Sequence, residues 1–90
     1  MRKIINNLIL ADDDDEDSTF FQIALDELFY SAKLKVVRNG VQLMDLLSST
    51  SASSYDILFL DLNLPIKSGL ECLEEIRHNQ NLKNLIVVIF

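Results

Sequence analysis

The sequence predicts an α/β protein, a doubly wound parallel sheet with helices on both faces. Three observations carry that prediction. Short apolar runs of strand length alternate with amphipathic segments of helical period. The order is strand, helix, strand, helix, strand, helix, strand, which implies βαβ units with right-handed crossovers. Residues 8–11 and 85–90 are continuously apolar, as expected of strands covered on both faces.

Each element has its own warrant. Leu8-Ile9-Leu10-Ala11 ends abruptly in acids and reads as a buried strand over residues 6–11. Phe20, Ala24 and Leu28 form one row at helical spacing, and Phe21, Leu25 and Phe29 form the next. Together they predict a helix over residues 18–31 with a wide apolar face, its phenylalanines in the core. Residues 34–38, with Val36-Val37, predict a second strand. Asn39-Gly40 is a turn signal. Val41, Met44 and Leu47 beside Leu43 and Leu46 predict a short helix over residues 41–47. The Ser/Thr/Ala stretch 48–54 reads as an exposed loop. Residues 55–60 predict the third strand, ending at Asp61. A loop with Pro65 follows and is closed by Gly69. Leu70, Leu73 and Ile76 predict a helix over residues 70–79, and residues 85–90 a fourth buried strand.

Charge and composition narrow the function. The chain has 90 residues, enough for one domain, with 14 acidic and 8 basic side chains. The six consecutive acids from Asp12 to Asp17 account for the whole net charge of −6, and the rest of the chain is balanced. No basic surplus exists to meet phosphates, so direct nucleic-acid binding is excluded. No apolar run approaches the length of a membrane span, and the N-terminus does not read as a signal peptide. The single cysteine, Cys72, cannot form an internal disulfide, which fits a reducing cytoplasm. It is expected to be partly buried packing.

The chemistry gathers at two strand ends. In an open parallel sheet, ligands bind beyond the carboxyl ends of the strands. The first strand ends in Asp12-Asp13 and the third in Asp61, and a doubly wound sheet sets those strands side by side. Three gathered carboxylates repel, and hold their charge most readily around a cation. Hard oxygen donors suit Mg²⁺. Such an ion attracts phosphate oxygens, and an aspartate beside it could act as a nucleophile.

These residues carry a resemblance. An apolar strand followed by Asp12-Asp13, then an apolar strand followed by Asp61-Leu62-Asn63-Leu64-Pro65 and Gly69, resembles the receiver domain of two-component response regulators. The resemblance runs from about residue 6 to residue 90, and the segment from Asp61 to Gly69 makes it specific. It implies a flavodoxin-like, CheY-like fold with strand order 2-1-3-4 for the strands present. It implies that Asp61 is the phosphoacceptor, taking a phosphoryl group from a sensor histidine kinase or phosphotransfer protein. Asp13 would ligate Mg²⁺ directly, Asp12 would help hold it, and Asn63 would offer its backbone carbonyl. Pro65 and Gly69 would shape the loop beneath the site. The protein would be a cytoplasmic signalling switch that takes part in its own phosphorylation, not a conventional enzyme.

One departure from the family pattern is expected to matter. A receiver has five strands and five helices, whereas residues 1–90 supply four strands and three helices. The family's Ser/Thr switch residue would fall just after Phe90, and its phosphate-contacting lysine further on. The chain is therefore expected to be an incomplete receiver, lacking the fourth helix, fifth strand and fifth helix. Its fourth strand would be an apolar edge, prone to self-association through residues 85–90. A non-catalytic interaction or dimerisation module is thus the alternative function.

Other readings of the same residues fail or stay bland. An EF-hand counted from Asp12 would need Gly where Asp17 stands and Glu where Ile23 stands. A haloacid-dehalogenase-type enzyme needs an acid where Asn63 stands. A phosphatase of hydrolase type lacks a general acid. Asp14 to Asp17 are expected to start the first helix, with Asp17 or Ser18 as its cap. Asp56 is expected to be an exposed residue or a cap, and His78 to be exposed in the last turn of the third helix. Lys67 is either a solvated charge or a contact for a partner kinase.

Overall fold

A computed structural model of the chain describes residues 6–28, 31–49 and 54–90. Its elements are β1 (Asn7–Ala11), α1 (Asp15–Leu28), β2 (Lys33–Val37), α2 (Gly40–Ser49), β3 (Ile57–Leu60), α3 (Gly69–Arg77), a 3-10 turn (Gln80–Leu82) and β4 (Ile86–Ile89). The sheet is parallel throughout, in the expected order β2-β1-β3-β4.

Strand alternation sorts the side chains into two layers. Ile9, Ala11, Leu58 and Leu60 point to one face, where Leu43 and Leu47 of α2 and Cys72 and Ile76 of α3 complete the main core. Leu8 points to the other face, where Leu25 of α1, Ala32, Leu34 and Phe59 form a smaller core. Cys72 is fully buried, more so than expected, and burial pushes its thiol pKa up. It is packing, not a reactive thiol.

The α1 layer corrects the expectation of a buried phenylalanine stripe. Phe20 is 63% exposed and Leu28 73% exposed, and Ala24 is exposed as well. Phe21 is half-buried and meets Phe59 edge to face, with ring centroids 4.8 Å apart. The physical reason is that α1 is the only helix on this face among the described residues. An apolar groove of about 240 Å³, lined by Leu8, Phe21, Ala24, Leu25, Leu28, Ile57 and Phe59, stays open beside it. Phe29, the last residue of the expected stripe, lies outside the described residues.

Several element ends also move. Helix α1 starts at Asp15, because Asp14 is its cap: the Asp14 carboxylate accepts from the N–H groups of Glu16 (2.8 Å) and Asp17 (3.3 Å). Neither Asp17 nor Ser18 caps it. Asn39-Gly40 is not a free turn. Asn39 accepts from the Gln42 N–H (2.8 Å) and Gly40 is the first residue of α2. Ser48 and Ser49 extend α2 rather than open a loop, and residues 50–53 of that expected loop lie outside the described residues. Helix α3 begins with a capping box, in which Ser68 accepts from the Glu71 N–H and Glu71 reaches back to Ser68. Strand β4 is not buried on both faces: Ile86, Val88, Ile89 and Phe90 are all exposed, and among the described residues β4 pairs with β3 alone. It is an apolar sheet edge, as the strand order implies.

Candidate metal and phosphoacceptor site

Register builds the site. Ala11 is level with Val37 of β2 and with Leu60 of β3, and Leu60 is level with Ile89 of β4. The next residue of each strand therefore lies at the same carboxyl end of the sheet: Arg38, Asp12, Asp61 and Phe90. Main-chain bonds extend the ladder into this row, from the Asp12 N–H to the Val37 carbonyl (3.1 Å) and from the Asp61 N–H to the Ala11 carbonyl (3.1 Å). Phe90 donates to the Leu60 carbonyl (3.1 Å) and accepts from the Leu62 N–H (3.4 Å).

Carboxylate oxygens of Asp12, Asp13 and Asp61 all lie within 4.8 Å of one another. Asp12 is only 1% exposed, Asp13 is exposed and Asp61 half-buried. Burial raises the Asp12 pKa, and the charges of Asp17 and Asp61 push the same way. The Asp14 N–H, donating to Asp12 Oδ1 at 3.0 Å, partly offsets this. An oxygen-only donor set with a buried, destabilised carboxylate fits a hard divalent cation such as Mg²⁺ or Mn²⁺. Asp17 lies nearer the site than its expected role in starting the helix implies. With Asp12, Leu10, Phe20, Phe21 and Phe90 it lines an open cleft of about 440 Å³.

The loop after Asp61 is held by backbone packing. Asp61 Oδ1 accepts from the Asn63 N–H at 2.9 Å, which fixes one carboxylate oxygen against the loop. The Gly69 N–H donates to the Leu62 carbonyl at 3.0 Å, and a Cβ on Gly69 would sit 2.2 Å from the Asp61 carbonyl oxygen. A Cβ on Gly40 would sit 1.9 Å from the Lys67 carbonyl oxygen. Both glycines are required because this loop is pressed onto its neighbours. Pro65 contributes its carbonyl, which accepts from the N–H groups of Gly40 (3.4 Å) and Lys67 (2.8 Å). Between them Ile66 takes φ 70°, a strained value for a β-branched residue.

The remaining expected roles resolve simply. Lys67 pairs with Glu75 of α3. Asp56, at the far end of β3, accepts from the N–H groups of Asn6 (2.9 Å) and Asn7 (3.0 Å) and so caps the start of β1. His78 is the exposed C-cap of α3. Arg38 is a residue that sequence reasoning missed. From one residue past β2 it touches Asp12, Asp14, Asp15 and Ser18, and its place just after a strand end is the sequence signal.

The family model for the response regulator receiver domain matches residues 8–90. Response regulator Rcp1 of Synechocystis is 33% identical over 86 residues, covering 91% of this chain and 58% of that protein. The chain is similar to the crystal structure of the phosphorylated cyanobacterial phytochrome response regulator RcpA, with a TM-score of 0.85 and 31% identity. That match covers 96% of this chain and 64% of the other. It is also similar to the Mn²⁺-bound form of Rcp1, with a TM-score of 0.82 and 32% identity over 93% of this chain and 63% of the other. The chain thus spans less than two thirds of the length of these relatives.

Proposed function

This chain belongs to the response regulator receiver family, and from that premise we propose that Asp61 is its phosphoacceptor in a Mg²⁺-dependent reaction. The observation that carries the reading is the meeting of Asp12, Asp13 and Asp61 at the carboxyl ends of two adjacent strands. The likeness to a phosphorylated and to a Mn²⁺-bound response regulator, each above 30% identity, supports it.

Asp12, Asp13 and Asp61, with the backbone carbonyl of Asn63, would hold the ion. When bound, Mg²⁺ offsets negative charge on the phosphoryl oxygens. An Asp61 carboxylate oxygen attacks phosphorus. The bond from phosphorus to a phosphohistidine nitrogen breaks, the imidazole keeps that electron pair, and an acyl phosphate forms on Asp61. The donor is a sensor histidine kinase or a phosphotransfer protein, and the modified domain acts as a signalling switch, not as a conventional enzyme. No helix among the described residues is long and apolar enough to cross a membrane, and the buried thiol of Cys72 suits the reducing cytoplasm in which we place the domain.

The test is intact mass of the full-length gene product after incubation with Mg²⁺ and acetyl phosphate. One added phosphate is expected, absent in Asp61→Asn and in chelator. Undiminished labelling of Asp61→Asn would sink the assignment. One observation favours a second reading, a receiver-like module used for self-association: the exposed apolar edge of β4. That module would associate without taking up phosphate.

A further inference from the structure

We propose that Arg38 is a positioning residue for the cation site, holding the loop that carries Asp12 and Asp13 in the shape that brings their carboxylates to Asp61. The inference rests on the cation reading above.

Arg38 stands one residue beyond β2, level with Asp12. Its guanidinium makes four bonds, all to the segment from Asp12 to Ser18. Nη1 donates to Ser18 Oγ at 3.1 Å and lies 3.4 Å from the Asp12 carbonyl oxygen and 3.5 Å from that of Asp14. Nη2 pairs with Asp15 Oδ1 at 2.9 Å. The two carbonyl contacts are long and individually weak. The shorter bonds, to Ser18 and Asp15, set the plane of the fork and keep it over the loop. Ser18 is buried and bonded to the Asp15 carbonyl (3.0 Å), so it is a firm anchor. At the other end, the Arg38 N–H donates to Gln42 Oε1 at 2.8 Å, which fixes the main chain from which the side chain departs.

None of these four bonds uses a carboxylate of Asp12, Asp13 or Asp61. Arg38 grips the main chain and first helical turn while leaving those three carboxylates for the ion. Its contacts bracket Asp13, the exposed ligand, from Asp12 on one side and Asp14 on the other. Arginine suits this because its rigid planar fork sends Nη2 to Asp15 while Nη1 faces Ser18 and the two carbonyls, a span that a single ammonium nitrogen does not cover.

The sign of the effect separates positioning from simple charge. A fixed cation beside a cation site opposes the ion, so by Coulomb's law alone its removal tightens binding. If Arg38 positions the loop, removal loosens binding, as loss of an orienting partner does at metal sites.

Calorimetric titration of the full-length gene product with Mn²⁺ tests this, comparing wild type with Arg38→Met, Arg38→Lys and Asp13→Asn. Arg38→Met is expected to weaken Mn²⁺ binding about tenfold. Arg38→Lys should also weaken it, although it keeps the charge. Luminescence lifetimes of Tb³⁺ in H₂O and D₂O supply a readout that loss of stability alone would not move, since a misplaced loop leaves more water on the ion. Equal or tighter Mn²⁺ binding by Arg38→Met, or an unchanged Tb³⁺ water count, overturns the inference. If Arg38→Met does not fold, Arg38→Lys decides alone, and wild-type affinity in that variant overturns the inference. Failure of wild type to bind Mn²⁺, or full binding by Asp13→Asn, defeats the cation reading itself. Failure of the Arg38 inference alone leaves wild type binding and Asp13→Asn not.

Discussion

Asp12→Asn should stabilise the protein without metal and weaken it, relative to wild type, with metal. Asp12 is buried, with carboxylate oxygens of Asp13 and Asp61 within 4.8 Å. At that separation a pair of like charges repels by about 1 kcal/mol in water-like screening and by about 3–4 kcal/mol at an effective dielectric constant near 20. Asp13 is exposed and Asp61 half-exposed, so the lower figure applies, and two such pairs give a gain of about 1–2 kcal/mol on neutralising Asp12. The amide oxygen of the replacement can still accept from the Asp14 N–H, so that bond is not lost. The pH dependence has a definite sign. The folded pKa of Asp12 lies above its ordinary 3.8, so its carboxylate costs stability as pH rises through the raised folded value. The advantage of Asp12→Asn is therefore present at neutral pH and vanishes below the ordinary value, where both states carry a neutral acid. With Mg²⁺ at about a hundred times its dissociation constant, the wild type gains about 2.7 kcal/mol that the variant forgoes, and the order reverses. Urea unfolding at pH 7 in chelator and in Mg²⁺, repeated in chelator at acid pH, measures all three. A variant less stable than wild type in chelator at pH 7 would show that the three carboxylates do not strain the metal-free fold.

Other expectations concern the loop and the edge. Gly69→Ala forces a Cβ to 2.2 Å from the Asp61 carbonyl oxygen, so it should cost about 1–3 kcal/mol in urea unfolding and reduce phosphorylation of Asp61. Ile66→Asn relieves a positive φ at a residue that is 80% exposed, and should add about 1 kcal/mol to stability without changing Mn²⁺ affinity. Val88→Lys places a charge on the exposed face of β4 and should abolish concentration-dependent association in light scattering. A monodisperse wild-type monomer at high concentration would refute that last expectation.

The parts of this fold legible in sequence are those set by local pattern. Leu8 to Ala11 and Ile57 to Leu60 are apolar runs cut off by acids, and that contrast alone locates two strand ends and the three carboxylates beyond them. What sequence could not show depends on partners distant along the chain. Asn39-Gly40 has the composition of a turn. Only the Lys67 carbonyl, pressed against Gly40 from the loop after β3, makes it a helix start that tolerates no Cβ. Phe20 and Leu28 fit an apolar helical face, but whether such a face is buried depends on what covers it. Within the acidic run all side chains look alike, and hydrogen-bond geometry singles out Asp14 as the cap and Asp12 as the buried member. Arg38 shows little locally, since its guanidinium contacts lie back along the chain, in the loop after β1 and the start of α1. The box from Ser68 to Glu71 was open to view, and a helix start placed at Leu70 passes over it.

The central claim is that Asp61, among three neighbouring carboxylates, takes the phosphoryl group. Borohydride reduction of the acetyl-phosphate-treated, full-length protein, followed by peptide mass mapping, tests it directly. Reduction converts an aspartyl phosphate to homoserine. Homoserine is expected at position 61 and none at 12 or 13, with formation dependent on Mg²⁺. Homoserine at position 12 or 13, or its appearance at 61 unchanged in chelator, would contradict it.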